Sequence, residues 1–313
     1  MLIVDAHSDT ITTIMDSKEA LLENKGHIDI KRLKNYEDGF VQFFAAYISP
    51  TQAKMGGLRR AMDIIDRLYN EIKINSNDIM LCCNYNEIMS AIKHKKIAAV
   101  LTIEGGDALE GSISALRMLY RLGVRAITLT WNYRNHIADG VADAITGGGL
   151  TPFGIEVVSE MNKLGMMVDV SHLSESGFWD VINRTTDPII ASHSNAKSIC
   201  GHRRNLTDDQ LLALKENGGV TGINLCPDFL ANDGNADIDC VIKHIEHIVA
   251  LTGEDTLGLG ADYDGIDSTP AGLDGVQDIY KIFNELLKLN YSQQLVDKIA
   301  GLNFMRVIKQ VVK

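Results

Sequence analysis

The sequence lacks the features that mark secreted or membrane-spanning proteins. It contains five cysteines among 313 residues, and none of them lies in a C-x-x-C pair. An odd number of cysteines without such spacing favours reduced thiols over a disulfide framework or a zinc knuckle. No segment approaches the roughly 18 consecutive apolar residues of a membrane span, and the N-terminus shows neither a basic segment nor a cleavable apolar stretch. We therefore expect a soluble, cytoplasmic protein that does not bind membranes.

Positive charge is also scarce. Lysine and arginine total 30 against 41 aspartates and glutamates, which gives a formal net charge of −11. Affinity for nucleic acid or for an anionic membrane requires basic patches, so we expect neither as a partner. The chain has no internal repeat, low-complexity tract or linker rich in proline and serine. We place no domain boundary and expect residues 1–313 to form a single domain.

Short apolar segments alternate along the chain with amphipathic segments of helical period. Eight segments are predicted strands: Leu2–His7, Val41–Ile48, Ile97–Glu104, Val124–Trp131, Met166–His172, Pro188–His193, Gly219–Leu225 and Thr256–Asp262. Strands alternating with helices predict a parallel α/β sheet, and eight of them favour a closed (β/α)₈ TIM barrel, which typically needs roughly 250 residues. The second strand is the weakest of these, because a long helical pattern at residues 54–94 follows it. A doubly wound open sheet is the competing architecture.

Four segments between these strands have apolar residues three and four positions apart, as one face of a packed helix requires. They are Ser112–Arg121, Phe153–Leu164, Asp208–Glu216 and Ile238–Leu251. Thr207 precedes the third and is a predicted N-cap. On the fourth, His244 and His247 do not form an H-E-x-x-H motif, so we predict a solvated helix face rather than a metal site.

Potential metal ligands lie at the ends of five predicted strands. They are His7, Glu104, His172, His193 and Asp262. In a (β/α)₈ barrel these carboxyl ends surround one cavity, so side chains far apart in sequence would meet there. A single histidine at a strand end is more often structural than a ligand, but several at the same end of separate strands indicate a metal site.

His7 and Asp9 form an H-x-D pair. Residues two apart on an extended strand face the same way, so both can reach one ion. Imidazole and carboxylate ligands suit Zn²⁺, with iron, manganese or cobalt as substitutes. The ligands outnumber the three that a single catalytic zinc needs, and two ions about 3.5–4 Å apart fit the set better.

At these residues the sequence resembles the membrane (renal) dipeptidase family of binuclear zinc peptidases, peptidase family M19. The matching segments follow the family's order and extend over nearly the whole chain: Val4–Asp9, Ile103–Gly106, Phe153–Gly165, Asp169–His172, Ser192–Ser194, Arg203–Leu206 and Gly260–Gly265. The resemblance implies the metal-dependent hydrolase version of the (β/α)₈ barrel. It also implies hydrolysis of dipeptides by a hydroxide that bridges two zinc ions.

The resemblance assigns a role to each matching position. His7 and Asp9 would hold one zinc, His172 and His193 the other, and Glu104 would bridge them. Two further residues would act on the substrate. Arg204 would bind its terminal carboxylate, and Asp262 would lie beside the scissile amide and the bridging water. A carboxylate in that position is the natural candidate to accept the proton of the nucleophile and return it to the leaving amine.

One position departs from the family. Its mammalian members carry a substrate-contacting histidine at the end of the fourth strand, where this chain has Trp131. An indole offers one N–H donor but cannot change protonation near neutral pH. Two interpretations stay open: His136 takes over that contact, or the substrate spectrum differs and His136 has no role. Dipeptides with a C-terminal D-residue are among the candidate substrates, and a homodimer is the one assembly that we consider.

Two other functions are compatible with such a barrel. One is an amidohydrolase-type metal hydrolase that acts on a small amide or cyclic amide. Many of those enzymes use H-x-H on the first strand and a modified lysine on the fourth, whereas this chain has H-x-D and Trp131. The other is a barrel that has lost catalysis and only binds ligands, which the complete ligand set disfavours.

Overall fold

The computed structural model describes residues 1–313 and confirms the closed parallel barrel. The strands are β1 (Ile3–Asp5), β2 (Phe40–Tyr47), β3 (Ile79–Leu81), β4 (Ile97–Glu104), β5 (Val124–Thr128), β6 (Met167–Asp169), β7 (Ile190–Ala191), β8 (Val220–Ile223) and β9 (Leu257–Leu259). Strand β1 pairs with β2 and with β9, and β2 pairs with β4, so eight parallel strands form a ring from which only β3 is left out.

Helices surround this ring. They are α1 (Thr10–Ser17), α2 (Ile30–Leu33), α3 (Pro50–Ile74), α4 (Tyr85–Lys93), α5 (Ile113–Arg121), α6 (Pro152–Leu164), α7 (Glu175–Ile182), α8 (Asp208–Asn217), α9 (Pro227–Leu230), α10 (Ile238–Thr252), α11 (Tyr280–Lys288), α12 (Gln293–Asp297) and α13 (Asn303–Val311). The four predicted helices correspond to α5, α6, α8 and α10. Thr207 caps α8 as predicted, because its hydroxyl accepts the Gln210 N–H in a capping box. No helix combines the length and the apolar character that crossing a membrane would need.

The region at residues 54–94 differs from the prediction of one long helical pattern. It holds most of α3, then β3, then α4. Strand β3 pairs with the first residues of β4, from Ile97 to Ala99, whereas β5 pairs with β4 from Leu101 onwards. A three-residue strand is too short to show a period of two, which is why the sequence pattern missed it. Strand β2, expected to be the weakest, pairs with β4 over seven residues.

Most strands end earlier than predicted. His7 lies two residues beyond β1 and His193 two beyond β7, whereas His172 and Asp262 each lie three residues beyond their strands. Only Glu104 is itself the last residue of a strand. His172 and Asp262 have φ values of 66° and 62°, in the left-handed region that extended strands do not use. Apart from Glu104, the candidate ligands therefore lie on the segments that follow the strands.

The barrel interior is filled with apolar side chains at one end only. Residues early in the strands, such as Val41, Ala98 and Val220, form one buried cluster with Phe304 and Ile308 of α13. Helix α13 therefore packs on the amino-terminal end of the barrel. The larger apolar cluster lies between the strands and the outer helices. This division leaves the carboxyl ends of the strands for polar side chains, where barrel enzymes place their active sites.

Of the two histidines of α10, only His247 is partly exposed, so the prediction of a solvated face is wrong for His244. His244 is fully buried, where its Nδ1 accepts the Ala196 N–H at 3.2 Å and its Nε2 lies 3.2 Å from the Leu230 carbonyl oxygen. His247 Nε2 lies 2.8 Å from Asp208 Oδ1. The prediction failed for His244 because both polar ring atoms find partners in loops that the sequence pattern does not reveal. Neither histidine lies in the group of candidate metal ligands.

Candidate metal centre and substrate cavity

Glu104 lies between His7 on one side and the pair His172 and His193 on the other. Its Oε2 is 3.6 Å from His7 Nε2, whereas its Oε1 is 2.9 Å from His172 Nε2 and 3.6 Å from His193 Nε2. The last two nitrogens are 2.8 Å apart. Glu104 and the three histidines are all buried. A carboxylate that turns one oxygen to each side has the form of a ligand that bridges two ions.

Two more carboxylates approach His7 from the other side. His7 Nε2 is 3.7 Å from Asp9 Oδ2 and 3.7 Å from Asp262 Oδ1. His7 Nε2 and Asp9 Oδ1 are buried yet have no hydrogen-bond partner. A buried polar atom without a partner is costly, so these two atoms point to a ligand that they would coordinate. The chemistry of these donors therefore fits divalent metal.

The compact groups in the structure differ from the pairs that the resemblance implies. One group joins His7, Glu104 and His193, and the other joins His7, Asp9 and Asp262, with the ligand atoms of each group within 4.8 Å of one another. His7 belongs to both groups, and Asp262 lies among the candidate ligands. His172 belongs to neither group, but its Nε2 lies 2.9 Å from Glu104 Oε1, so all five predicted ligands lie close together.

Neighbouring side chains orient the two histidines on the β6 and β7 side. His172 Nδ1 lies 2.8 Å from Asn132 Oδ1, and His193 Nδ1 lies 2.7 Å from Ser192 Oγ. The Asn132 oxygen can only accept, so it favours the tautomer of neutral His172 that carries the proton on Nδ1 and leaves the Nε2 lone pair for a metal ion. Sequence reasoning did not single out Asn132 or Ser192, because a polar residue beside a histidine carries no distinctive pattern.

Asp169 is a functional candidate that sequence reasoning missed. Its Oδ1 accepts the N–H groups of Ser171 and Ser192, and its Oδ2 accepts the hydroxyls of Thr128 and Ser192, at 2.5–3.0 Å. These four hydrogen bonds tie the ends of β5, β6 and β7 together beneath His172 and His193. The available signal was an acidic residue closing an otherwise apolar strand, since such a carboxylate must be satisfied when buried.

Asp5 shows the same pattern on β1. It accepts the Ala261 N–H at 2.8 Å, the Gln42 amide at 3.1 Å and the His7 N–H at 3.4 Å. Burial raises the pKa of Asp5 to about 6. The structure shows contacts with the backbone on either side of the site and none with the His7 ring.

Burial and neighbouring charges shift the pKa values of the site residues in different directions. Burial lowers the pKa of His172 to about 3, with a further contribution from the positive charge of Arg204. At His7 burial also opposes the charged form, but the carboxylates of Glu104 and Asp9 outweigh it and raise the pKa. Burial raises the pKa of Asp262 to about 6. Buried carboxylates that resist ionisation on their own are stabilised as anions by a bound cation.

A cavity of about 570 Å³ opens above Glu104, within the range of small-molecule sites. Its wall includes Asp9, His172 and Asp262 of the metal group together with Trp131. The Trp131 ring packs against Tyr47, Tyr133 and His172, with ring centroids 5.5, 5.8 and 6.1 Å away. Trp131 thus lies in the wall of the main cavity, where its contacts are with aromatic rings.

The other two predicted substrate contacts lie outside this main cavity. Arg204 is buried, donates to the His193 carbonyl oxygen at 3.2 Å, and lines a smaller cavity of about 90 Å³ that also touches His172. Its Nε has no hydrogen-bond partner. The neighbouring Arg203 is exposed. His136 is exposed as well and lines a separate cavity on the far side of Trp131.

Comparison with known proteins agrees with this geometry. The family model described as membrane dipeptidase (peptidase family M19) matches residues 1–313. An uncharacterized dipeptidase of Schizosaccharomyces pombe is 35% identical over 98% of this chain and 80% of its own length.

Two solved structures are similar over nearly their full length. Dipeptidase AC, a metallopeptidase of family M19, is 27% identical with a TM-score of 0.92, covering 100% of this chain and 99% of that one. A metallopeptidase from Rhodobacter sphaeroides, solved with a phosphinate mimic of the dipeptide L-Ala-D-Ala, is 26% identical with a TM-score of 0.91, covering 99% of both chains. The chain therefore belongs to the membrane dipeptidase family, peptidase family M19, and is a metal-dependent dipeptidase of that family.

Proposed function

We propose that this dipeptidase is a binuclear zinc enzyme, formed by residues 1–313 as one catalytic unit. The observation that supports two ions is the position of Glu104, with one carboxylate oxygen toward His7 and the other toward His172 and His193. A single catalytic zinc would need only three protein ligands and would leave part of this set unused.

In this proposal His7 and Asp9 hold one ion, His172 and His193 hold the other, and Glu104 lies between them. Imidazole nitrogen and carboxylate oxygen both suit Zn²⁺. When bound, the ions supply a water of lowered pKa that can attack at neutral pH, together with positive charge for the carbonyl oxygen of the substrate. The protein contributes the orientation of the ligands, through Asn132 at His172 and through Ser192 at His193.

Asp262 is the proposed general base and acid. Asn224 donates to its Oδ2 at 2.8 Å, which fixes the carboxylate so that Oδ1 faces the metal group. Burial raises its pKa to about 6, near the pH at which a group exchanges protons most effectively in a cell. Asp262 would take the proton of the attacking water at Oδ1 and pass it to the amine that leaves.

Arg204 is the proposed ligand of the terminal carboxylate. Its guanidinium is buried, its Nε lacks a partner, and the small cavity that it lines adjoins His172. A planar guanidinium pairs with a carboxylate through two parallel hydrogen bonds. A carboxylate held close to the metal group would favour dipeptides over longer peptides, because a longer chain would place its carboxylate too far from the bond to be cut.

The stereochemistry of the substrate is part of the proposal. We extend the substrate range to dipeptides with a C-terminal D-residue, since the structural relative from Rhodobacter sphaeroides accommodates a mimic of L-Ala-D-Ala. We propose that Trp131 contacts the substrate, as a wall of the main cavity. The contact of His136 with substrate, the homodimer and the cytoplasmic location stay predictions.

The test is a panel of L,L and L,D dipeptides, one tripeptide and one cyclic amide, offered to the zinc-loaded protein. We expect hydrolysis of dipeptides of one or both series, with slow cleavage of the tripeptide and none of the cyclic amide. Cleavage of the cyclic amide without cleavage of any dipeptide would contradict the proposed function. A tripeptide cleaved as fast as its dipeptide would contradict the role of Arg204 in size selection.

A further inference from the structure

Trp131 separates two cavities. The main cavity above Glu104 has a volume of about 570 Å³, and a second cavity has about 830 Å³. Trp131 is the only residue that lines both. Residues that are adjacent in the chain line different cavities. Tyr47 and Asn132 line the main cavity, whereas Ile48 and Tyr133 line the second. The indole therefore stands as a partition with space on either side.

The partition is held in place by packing. Tyr47 contacts the indole from the main cavity, and Tyr133 contacts it from the second. Trp131 itself is only partly buried. Since aromatic rings in such contact stabilise one another, these contacts fix the indole although it is not part of the core. Removal of the side chain would therefore open the wall while leaving the barrel intact.

The second cavity offers apolar surface to a substrate side chain alongside polar groups. Ile48, Pro50 and Ala53 provide the apolar surface and Tyr133 an aromatic ring, while the polar lining residues are Lys54, Asp107, Arg134, Asn135 and His136. The main cavity is lined by the carboxylates of the metal group. A bulky side chain of a substrate would gain from burial in the second cavity, which the indole prevents.

We propose that Trp131 sets the upper size of the substrate side chain by closing the main cavity against the second. The proposal rests on the proposed function, because the substrate is a dipeptide bound above Glu104. A smaller residue at this position would join the two cavities and admit dipeptides with phenylalanine or tryptophan. The native enzyme would then prefer small side chains at the position that faces Trp131.

The test compares the zinc-loaded parent with Trp131→Ala on two series, X-Ala and Ala-X, in which X is alanine, leucine, phenylalanine or tryptophan. We expect kcat/KM for a phenylalanine or tryptophan substrate, relative to Ala-Ala, to rise about tenfold or more in one series, as the opening of a pocket allows. Trp131→Phe should give a smaller rise. Unchanged selectivity in both series would overturn the proposal.

A second variant keeps the test informative. Ala53 lines only the second cavity, so Ala53→Phe should fill it without touching the main one. Alone it should leave hydrolysis of Ala-Ala unchanged, and combined with Trp131→Ala it should cancel the gain with bulky substrates. A gain that survives in the double variant would show that the second cavity is not the space used. Should Trp131→Ala fail to fold, Trp131→Leu and Trp131→Phe replace it in the same comparison.

Failure of the proposed function gives a different result. If the parent hydrolyses no dipeptide, the proposed function is wrong, and the proposed role of Trp131 is then tested by dipeptide binding alone. The Kd values of Ala-Ala and of the tryptophan dipeptides are then measured by calorimetry for parent and variant. Tighter binding of a tryptophan dipeptide relative to Ala-Ala in Trp131→Ala would support the partition. Equal ratios, or no binding by either protein, would overturn it.

Discussion

Asp262 contacts His7 twice. Its backbone N–H donates to the His7 carbonyl oxygen at 3.2 Å, and its carboxylate Oδ1 lies 3.7 Å from His7 Nε2. The turn that carries Asp262 is therefore fixed to the first candidate ligand of the metal group. Gly265, at the end of this turn, has no room for a side chain, because a Cβ there would lie 2.2 Å from Asp9 Oδ2. The position of the proposed proton carrier follows from these contacts.

The first prediction concerns the proton transfer by Asp262. Asp262→Asn keeps the size and the hydrogen bond to Asn224 but removes the base, so kcat should fall by about 10²–10⁴-fold. KM and zinc content should stay close to those of the parent, as measured by steady-state kinetics and metal analysis. Asp267→Asn is the matched control, since Asp267 is an exposed carboxylate on the same cavity and should be neutral. Loss of zinc from Asp262→Asn would instead identify Asp262 as a metal ligand.

The second prediction concerns the carboxylate contact of Arg204. Arg204→Ala should lower kcat/KM by about 10- to 150-fold, mainly through KM, because a hydrogen bond to a charged group contributes about 1.5–3 kcal/mol. Zinc content should be unchanged. Arg203→Ala should behave like the parent, since Arg203 is exposed. Equal KM values for the two variants would remove Arg204 from substrate binding.

The third prediction concerns the support of His193. The Ser192 hydroxyl lies 2.7 Å from His193 Nδ1 and donates to Asp169 Oδ2 at 2.5 Å. Ser192→Ala should weaken zinc affinity by about 10–100-fold, as loss of a group that orients a ligand does elsewhere. A competitive chelator titration measures this. Ser198→Ala, whose hydroxyl bonds to Asp208 away from the metal group, should bind zinc like the parent. Unaltered affinity in Ser192→Ala would mean that packing alone orients His193.

The fourth prediction concerns pH and stability. Burial lowers the pKa of His244 to about 4, so the folded protein keeps it neutral while the unfolded chain protonates it near its usual value of about 6.5. Below that pH the unfolded state gains a proton that the folded state does not, and stability falls by up to about 1.4 kcal/mol per pH unit until the folded pKa is reached.

His244→Gln tests this, because a glutamine can make both hydrogen bonds but has no titratable group. The free energy of unfolding is measured in urea between pH 6.5 and 4.5, with chelator present so that the other histidines behave alike in both proteins. We expect the parent to lose more stability than the variant as the pH falls. Parallel curves would show that His244 does not contribute.

The sequence predicted the barrel and the meeting of the five ligands because both depend on strong local patterns. Alternating strands and helices imply a parallel barrel, and the carboxyl ends of its strands surround one cavity independently of loop conformation. The position of each ligand was less predictable. His172 and Asp262 lie on turns with positive φ, and such turns occupy only a few residues beyond the apolar strand.

Other features depend on partners that are distant in sequence. Asp169 is held by Thr128 and Ser192, and His244 by the loops at Ala196 and Leu230. The members of these pairs lie 14 to 48 residues apart, further than a local pattern connects. The same holds for Trp131 and Tyr47, whose contact belongs to the proposed partition. Sequence patterns therefore identified the candidate ligands and left their supporting contacts to the structure.

The number of metal ions is the most direct test of the proposed centre. Protein stripped with a chelator is titrated with zinc, and bound metal and hydrolysis of a cleaved dipeptide are measured on the same samples. We expect the metal-free protein to be inactive and activity to reach its maximum with two zinc ions bound per chain. Full activity with a single ion, or activity that persists without metal, would contradict a binuclear centre bridged by Glu104.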